Sequence, residues 1–266
     1  MRSTACCALL GLLLGGLGCV GVPSPLAPTL EGSIGVPHHG VLTESVALPK
    51  SGPGFERYRD DGVHWGTQRL VDVLQRAAAR VAKEAPGGAP VVIGDLSERH
   101  GGKTERHRSH RTGRDVDILL YVTTPSGVSI KSPGFISLDE DGLGKVAKTK
   151  KHIRLDVERM WLQIKALVED PEADVQWIFI SRPLEGLITE YARALGEDPA
   201  LLWRAQTVMK EPGDSTDHDD HIHVRLSCSH DDMVAGCTGG PRWPWQAPPT
   251  KPSISDERLM AAILDD

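Results

Sequence analysis

Apolar residues return at a helical period in several stretches of the chain and alternate in a few short others. From Gly66 to Glu84, the residues Leu70, Val73, Leu74, Ala77 and Val81 fall on one helical face, and Pro86-Gly87-Gly88 ends the run. Asp156 to Glu169 repeats the pattern through Val157, Met160, Trp161, Ile164, Leu167 and Val168. Leu184 to Leu195 reads as another helix. Asp198-Pro199 opens one more, with Asp as N-cap and Pro at the first helical position, running to about Met209. Strands are predicted at Val91–Ile93, Val116–Val122, Val175–Ser181 and His221–Leu226. Between them, Leu96–Arg114 is a polar loop rich in His and Arg, residues 123–150 are irregular, and Glu211–Asp220 is a polar loop. The order of elements predicts an α+β domain, a small and mostly antiparallel sheet flanked by helices.

The ends read differently. Arg2 followed by the apolar run Cys6–Val20 is too short to span a bilayer and suits a signal peptide, so residues 1–19 are expected to be a leader. Leu17-Gly18-Cys19 leaves two outcomes open, simple cleavage or a lipid anchor on Cys19. Residues 20–54, rich in Pro, Gly and small polar residues, read as an extended lead-in. The folded domain is expected over residues 55–238, followed by a Pro-rich extension over 239–266 with a short helix at Asp256–Leu264. Trp243 and Trp245 are expected to pack this tail onto the domain rather than to bind glycan.

Apolar residues at 39% and charged residues at 25% fit a globular chain with a real core, and a net charge of -6 offers no electrostatic footprint for nucleic acid. Three of the five cysteines precede the domain. In an exported protein the remaining two, Cys228 and Cys237, most simply close one disulfide loop, with two free buried thiols as the alternative.

The chemistry concentrates in two segments, His107 to Asp117 and His218 to His223. Alternation along a strand places Val116, Ile118, Leu120 and Val122 on one apolar face and Asp117 on the other. In the second strand Ile222, Val224 and Leu226 share the apolar face, and His221, His223 and Arg225 point away from it. If the strands lie side by side, imidazoles and a carboxylate converge. Two imidazoles, one carboxylate and an open position are the donor set of a catalytic zinc, which acidifies a water and polarises a carbonyl. A polar cleft with solvated histidines is the bland alternative. Asp115 shares the face of Asp117 and either orients a ligand or sits solvated in a turn. Arg225 either meets a substrate carboxylate or forms a surface ion pair.

At these residues the chain resembles a known family. SHRTGRDVDI, from Ser109 to Ile118, resembles the S-H-x-T-G-x-D-V-D-I motif of penicillin-insensitive murein endopeptidases, and HDDHIHVRL, from His218 to Leu226, resembles their H-x-x-H-x-H-V-R-L motif. VVIGDL, the helix 66–84 and VQWIFIS extend the resemblance over roughly residues 55–230. It implies a fold like the hedgehog and D-Ala-D-Ala metallopeptidases. It also implies one Zn2+ per chain held by His110, Asp117 and His223, with His221 as a catalytic non-ligand and His218 and His107 as further active-site histidines. It places Cys228 on a disulfide cysteine whose partner would be Cys237. The family carries more disulfides than this chain has cysteines for, and the loop Ser97–Lys103 departs in detail. The implied activity is zinc-dependent hydrolysis of D-alanyl–diaminopimelate cross-links in peptidoglycan, in the periplasm or cell envelope, with no nucleic-acid partner and no membrane contact beyond a lipid on Cys19. A zinc D,D-carboxypeptidase and a non-catalytic peptidoglycan-binding module are the rivals.

Overall fold

A computed structural model describes residues 32–213 and 217–246. The described chain starts with a hairpin, β1 (Gly32–Val36) and β2 (His39–Thr43), then β3 (Val46–Ala47), β4 (Ser51–Gly52), β5 (Phe55–Arg57) and β6 (Trp65–Gly66). Helix α1 (Gln68–Glu84) leads to β7 (Val91–Ile93) and, past a long loop, β8 (Asp115–Leu119). Next come β9 (Val122–Thr123), β10 (Ser129–Ile130), β11 (Leu143–Lys145), β12 (His152–Leu155) and α2 (Val157–Glu169). The remainder is β13 (Val175–Phe179), α3 (Arg182–Ala194), α4 (Pro199–Val208), β14 (Met209–Lys210), β15 (His221–Leu226) and α5 (His230–Val234).

The four longer helices form where the periodicity places them, and local chemistry sets their ends; the five-residue α5 is too short to show a period and is not among the predicted elements. Thr67 Oγ1 accepts from Leu70 N at 3.2 Å at the start of α1, and Asp156 Oδ1 accepts from Arg159 N at 3.2 Å at the start of α2. Asp198 caps α4 through Ala200 N at 3.1 Å, with Pro199 at its first position. Val116 and Ile118 of β8, Ile222, Val224 and Leu226 of β15 and Ile178 of β13 join the apolar faces of α1 and α2 in one core, where Trp161, Ile164 and Leu167 are buried. Each such side chain contributes about 1.5–3 kcal/mol. An exposed pair such as Lys50–Asp60, at 2.8 Å, is screened by water and adds little, so the core and not the surface charge sets the fold.

The main sheet runs β14-β13-β15-β8-β7-β5-β4. It is antiparallel apart from the β13–β14 and β5–β7 pairs. At seven strands it is wider than the small sheet expected, because strands of two or three residues extend it on both sides. Runs that short carry no readable period. The predicted strand Val116–Val122 also divides. It leaves the main sheet after Leu119, and Val122–Thr123 pairs instead in a side sheet with β10 and β12. The stretch 123–150, expected to be irregular, contributes β10 and β11 to that sheet.

The largest departure is at the start of the domain. The expected lead-in before Phe55 holds β1 to β4, and Leu42 and Leu48 are buried. Its Pro and Gly residues make tight turns rather than a tether: Pro37-His38 closes the β1–β2 hairpin, and Gly32 and Gly35 take left-handed backbone angles of 102° and 85°. At the other end, residues 239–246 are tied to the domain, since Gln176 Nε2 donates to Gly239 O at 3.0 Å and Trp243 Nε1 to Gln176 O at 2.9 Å. The predicted leader, Cys19 and the helix at 256–264 lie outside the described residues. Among the described residues no helix is long and apolar enough to cross a membrane.

The Cys228–Cys237 disulfide is present, with Cα atoms 5.9 Å apart. Closing so short a loop stabilises the fold by about 2.5 kcal/mol in the chain-entropy account. Beside it the buried Arg114 donates from Nε to Ser33 Oγ at 3.0 Å and from Nη1 to Leu226 O at 2.7 Å, which ties the N-terminal hairpin to β15.

Candidate metal centre

Register in the main sheet builds the site. His223 of β15 lies opposite Asp117 of β8 on one side and Phe179 of β13 on the other. One step along, Arg225 lies between Asp115 and Trp177. These side chains share the polar face because strands alternate. His110 comes from the loop before β8 and is fully buried, on a left-handed backbone with φ 64°. A non-glycine residue there carries strain of about 1 kcal/mol or more, tolerated where the surroundings over-determine it. Gly113, also left-handed, brings the loop so close to the hairpin that a Cβ on it would meet Leu42 at 2.7 Å.

His110 Nε2, His223 Nδ1 and Asp117 Oδ1 form a tight triangle. The nitrogens are 3.2 Å apart and lie 3.2 and 3.1 Å from the oxygen. Both carboxylate oxygens of Asp117 are buried without a hydrogen bond of good geometry, so three donor atoms point at one another rather than at donors of their own. A tetrahedral ion bound at roughly 2.0–2.1 Å separates its ligand atoms by about 3.3 Å, which these edges match. The far ring nitrogens are held as metal-bound imidazoles usually are: His110 Nδ1 faces Leu96 O at 2.9 Å, and His223 Nε2 faces Asp115 Oδ1 at 2.8 Å. The residues fit a metal.

The other three predicted histidines surround this triangle. His221 Nε2 is 3.4 Å from Asp117 Oδ1, and its Nδ1 is bonded to Asp220 Oδ1. His107 Nδ1 is 3.6 Å from Asp117 Oδ2, and its Nε2 is 2.7 Å from Asp95 Oδ2. His107, His110 and Asp117 also bring three ligand atoms within 4.8 Å of one another. His218, nearly buried, has its ring 4.7 Å from that of His221 and 5.8 Å from that of His223.

Burial and the neighbouring carboxylates act against each other on these groups. Burial opposes charge on His221, yet the adjacent Asp117 and Asp220 override it and push the imidazole up to about 10. Burial is likewise overridden in His223, raised by Asp115 and Asp117. Asp117, despite burial, is held well below the usual carboxylate range by His110 and His221.

Asp115 is fully buried rather than solvated. Arg225 Nε donates to Asp115 Oδ1 at 2.6 Å, so its ion pair is with an interior carboxylate rather than a surface acid. Sequence reasoning missed Asp95 and Asp220, which hold His107 and His221. It also missed Phe135, whose ring is 5.2 Å from His221, and Phe179, 5.4 Å from His223. Asp220 is adjacent to His221 and Asp95 closes the strand Val91–Ile93, but neither position signals its partner.

Asp115→Asn should lower metal affinity about 10–100-fold, because the amide no longer holds His223 as a charged acceptor does. Competition with a chromogenic chelator measures it, and unchanged affinity would refute the role.

An α+β domain whose central strands converge buried imidazoles and a carboxylate has the donor set of a metal-binding protein. The chain belongs to the penicillin-insensitive murein endopeptidase family, whose model matches residues 33–240. The penicillin-insensitive murein endopeptidase of Klebsiella pneumoniae is 30% identical over 201 residues, covering 74% of this chain and 66% of that protein. That of Haemophilus influenzae is 28% identical over 250 residues, covering 88% of this chain and 79% of that protein. One from Escherichia coli is 28% identical over 283 residues, covering 99% and 95%.

Proposed function

We propose that the chain is a zinc-dependent murein D,D-endopeptidase that hydrolyses D-alanyl–diaminopimelate cross-links in the periplasm or cell envelope, on a domain like those of the hedgehog and D-Ala-D-Ala metallopeptidases. The observation that carries this is the His110–Asp117–His223 triangle, together with family membership. These three residues would hold the ion, one per chain. Zinc bound there would supply Lewis acidity, polarising a carbonyl and acidifying water at neutral pH.

The rest falls to the protein's own groups. His221 donates Nδ1–H to Asp220; with a cation taking up the charge of Asp117 that otherwise holds a proton on this ring, Nε2 would keep a lone pair beside the triangle, accept a proton there and return it to the leaving amine. His107 is fixed by Asp95 in the same sense, with Nδ1 facing inward 3.6 Å from Asp117 Oδ2, and we assign it as an active-site histidine beside the ion. His218, its ring tilted against that of His221, steadies charge that develops on the substrate.

Digestion of purified muropeptides with and without a chelator tests the reading. Cross-linked dimers should become monomers, and the chelator should stop it. Loss of terminal D-alanine alone would favour a carboxypeptidase. Intact muropeptides with protein that still sediments with sacculi would favour a binding module.

A further inference from the structure

Four of the six tryptophans lie in one run of ring contacts that begins at the metal centre. From His223 the run passes to Phe179 at 5.4 Å and to Trp177 at 6.3 Å, both on β13. It continues to Trp243 at 5.0 Å, Trp245 at 5.6 Å and Trp203 of α4 at 4.9 Å. Three separate segments supply these rings. Trp177, Phe179, Trp243 and Trp245 are half-buried, and Trp203 is 57% exposed.

Anchoring the tail accounts for Trp243 and Trp245, which pack against the core as expected, but not for the exposed Trp203 beside them. Residues 239–246 are held by polar bonds: Gln176 to Gly239 O, Gln246 Nε2 to Val175 O at 3.0 Å, and Arg242 Nη2 to Asp174 at 2.9 Å. An indole left more than half exposed beside them costs solvation and adds little packing. The exposed Lys210 stands opposite Phe179 in register, with Nζ 5.1 Å from the Trp177 ring, so one edge of the row is cationic.

We propose that this aromatic row receives the sugar rings of the glycan strand whose cross-link the metal centre cuts. The inference rests on the endopeptidase reading and is continuous with its site through Phe179. A pyranose offers an apolar C–H face to the electron-rich face of an indole, and its hydroxyls stay in water. Murein also carries stem-peptide carboxylates, which Lys210 complements. The row would hold the strand while the attached peptide reaches the centre, so its contribution falls on KM for polymeric substrate.

The test uses the full chain and its Trp203→Ala and Trp203→Phe variants. Trp203→Ala should bind glycan strands stripped of stem peptides about tenfold more weakly and raise KM on sacculi by a similar factor, as loss of one aromatic stack implies. Its turnover of a glycan-free cross-linked peptide dimer should match that of the parent, and Trp203→Phe should retain most of the binding. Unchanged glycan binding in Trp203→Ala, or an equal loss on the glycan-free dimer, would overturn the proposal. If the parent cuts the dimer without binding glycan strands, the aromatic row fails and the enzyme stands. If it binds strands without cutting the dimer, the endopeptidase reading fails and the row stands.

Discussion

Asp117→Ala is expected to lose metal and turnover together. Asp117 is the single anion of the triangle, fully buried, with three imidazole nitrogens within 3.4 Å of Oδ1. Without it, imidazoles face one another and the only carboxylate that faces the ion directly is gone, so a dication there would be left poorly compensated. Metal content after dialysis should fall from about one ion per chain to under roughly a tenth, and hydrolysis of cross-linked muropeptides should fall at least about 10³-fold, since Lewis acidity supplies several kcal/mol of the barrier. Added zinc should raise the melting temperature of the parent chain and leave that of the variant unchanged, because only a ligand that binds the folded state stabilises it. Full zinc occupancy in Asp117→Ala, or in His223→Ala, would refute the ligand set.

His221→Ala should separate the two properties. His223 lies at the triangle itself, whereas His221, two residues along the same strand face, stands at its edge with Nδ1 committed to Asp220. Removing it leaves His110, Asp117 and His223 in place, so metal content should hold near one ion per chain. Turnover should fall about 10²–10⁴-fold, the usual contribution of a positioned general base. Metal analysis and muropeptide hydrolysis on one preparation decide the matter. Loss of metal would make His221 a ligand, and retained turnover would pass the proton transfer to His107 or His218.

Those two roles show how far the sequence could be read. Alternation along β8 and β15 puts Asp117, His221 and His223 opposite the core with no knowledge of tertiary structure, because the direction of a strand side chain is fixed by its neighbours. The helices were legible for the same reason, as were their starts at Asp156 and Asp198. His110 was not legible in this way, since a loop has no period, and only the motif pointed to it. The strands of two or three residues just before α1 and at the sheet edges were equally silent, and the five-residue strands of the β1–β2 hairpin were hidden by the Pro- and Gly-rich composition around them.

By itself, then, the sequence determined what consecutive residues determine: the periodic elements, their caps and the polar faces of two strands, together with the motifs that mark a family. Tertiary structure decided what distant residues do to one another. Asp115 becomes the partner of His223 across 108 positions, Asp95 fixes His107, and rings from β13, α4 and the C-terminal segment line up with the metal centre. Such pairings depend on strand register and on the path of loops. Local periodicity carries no information about either, and a shift of a single residue in the pairing of β8, β13 and β15 would turn Asp115, His223 and Trp177 to the opposite face.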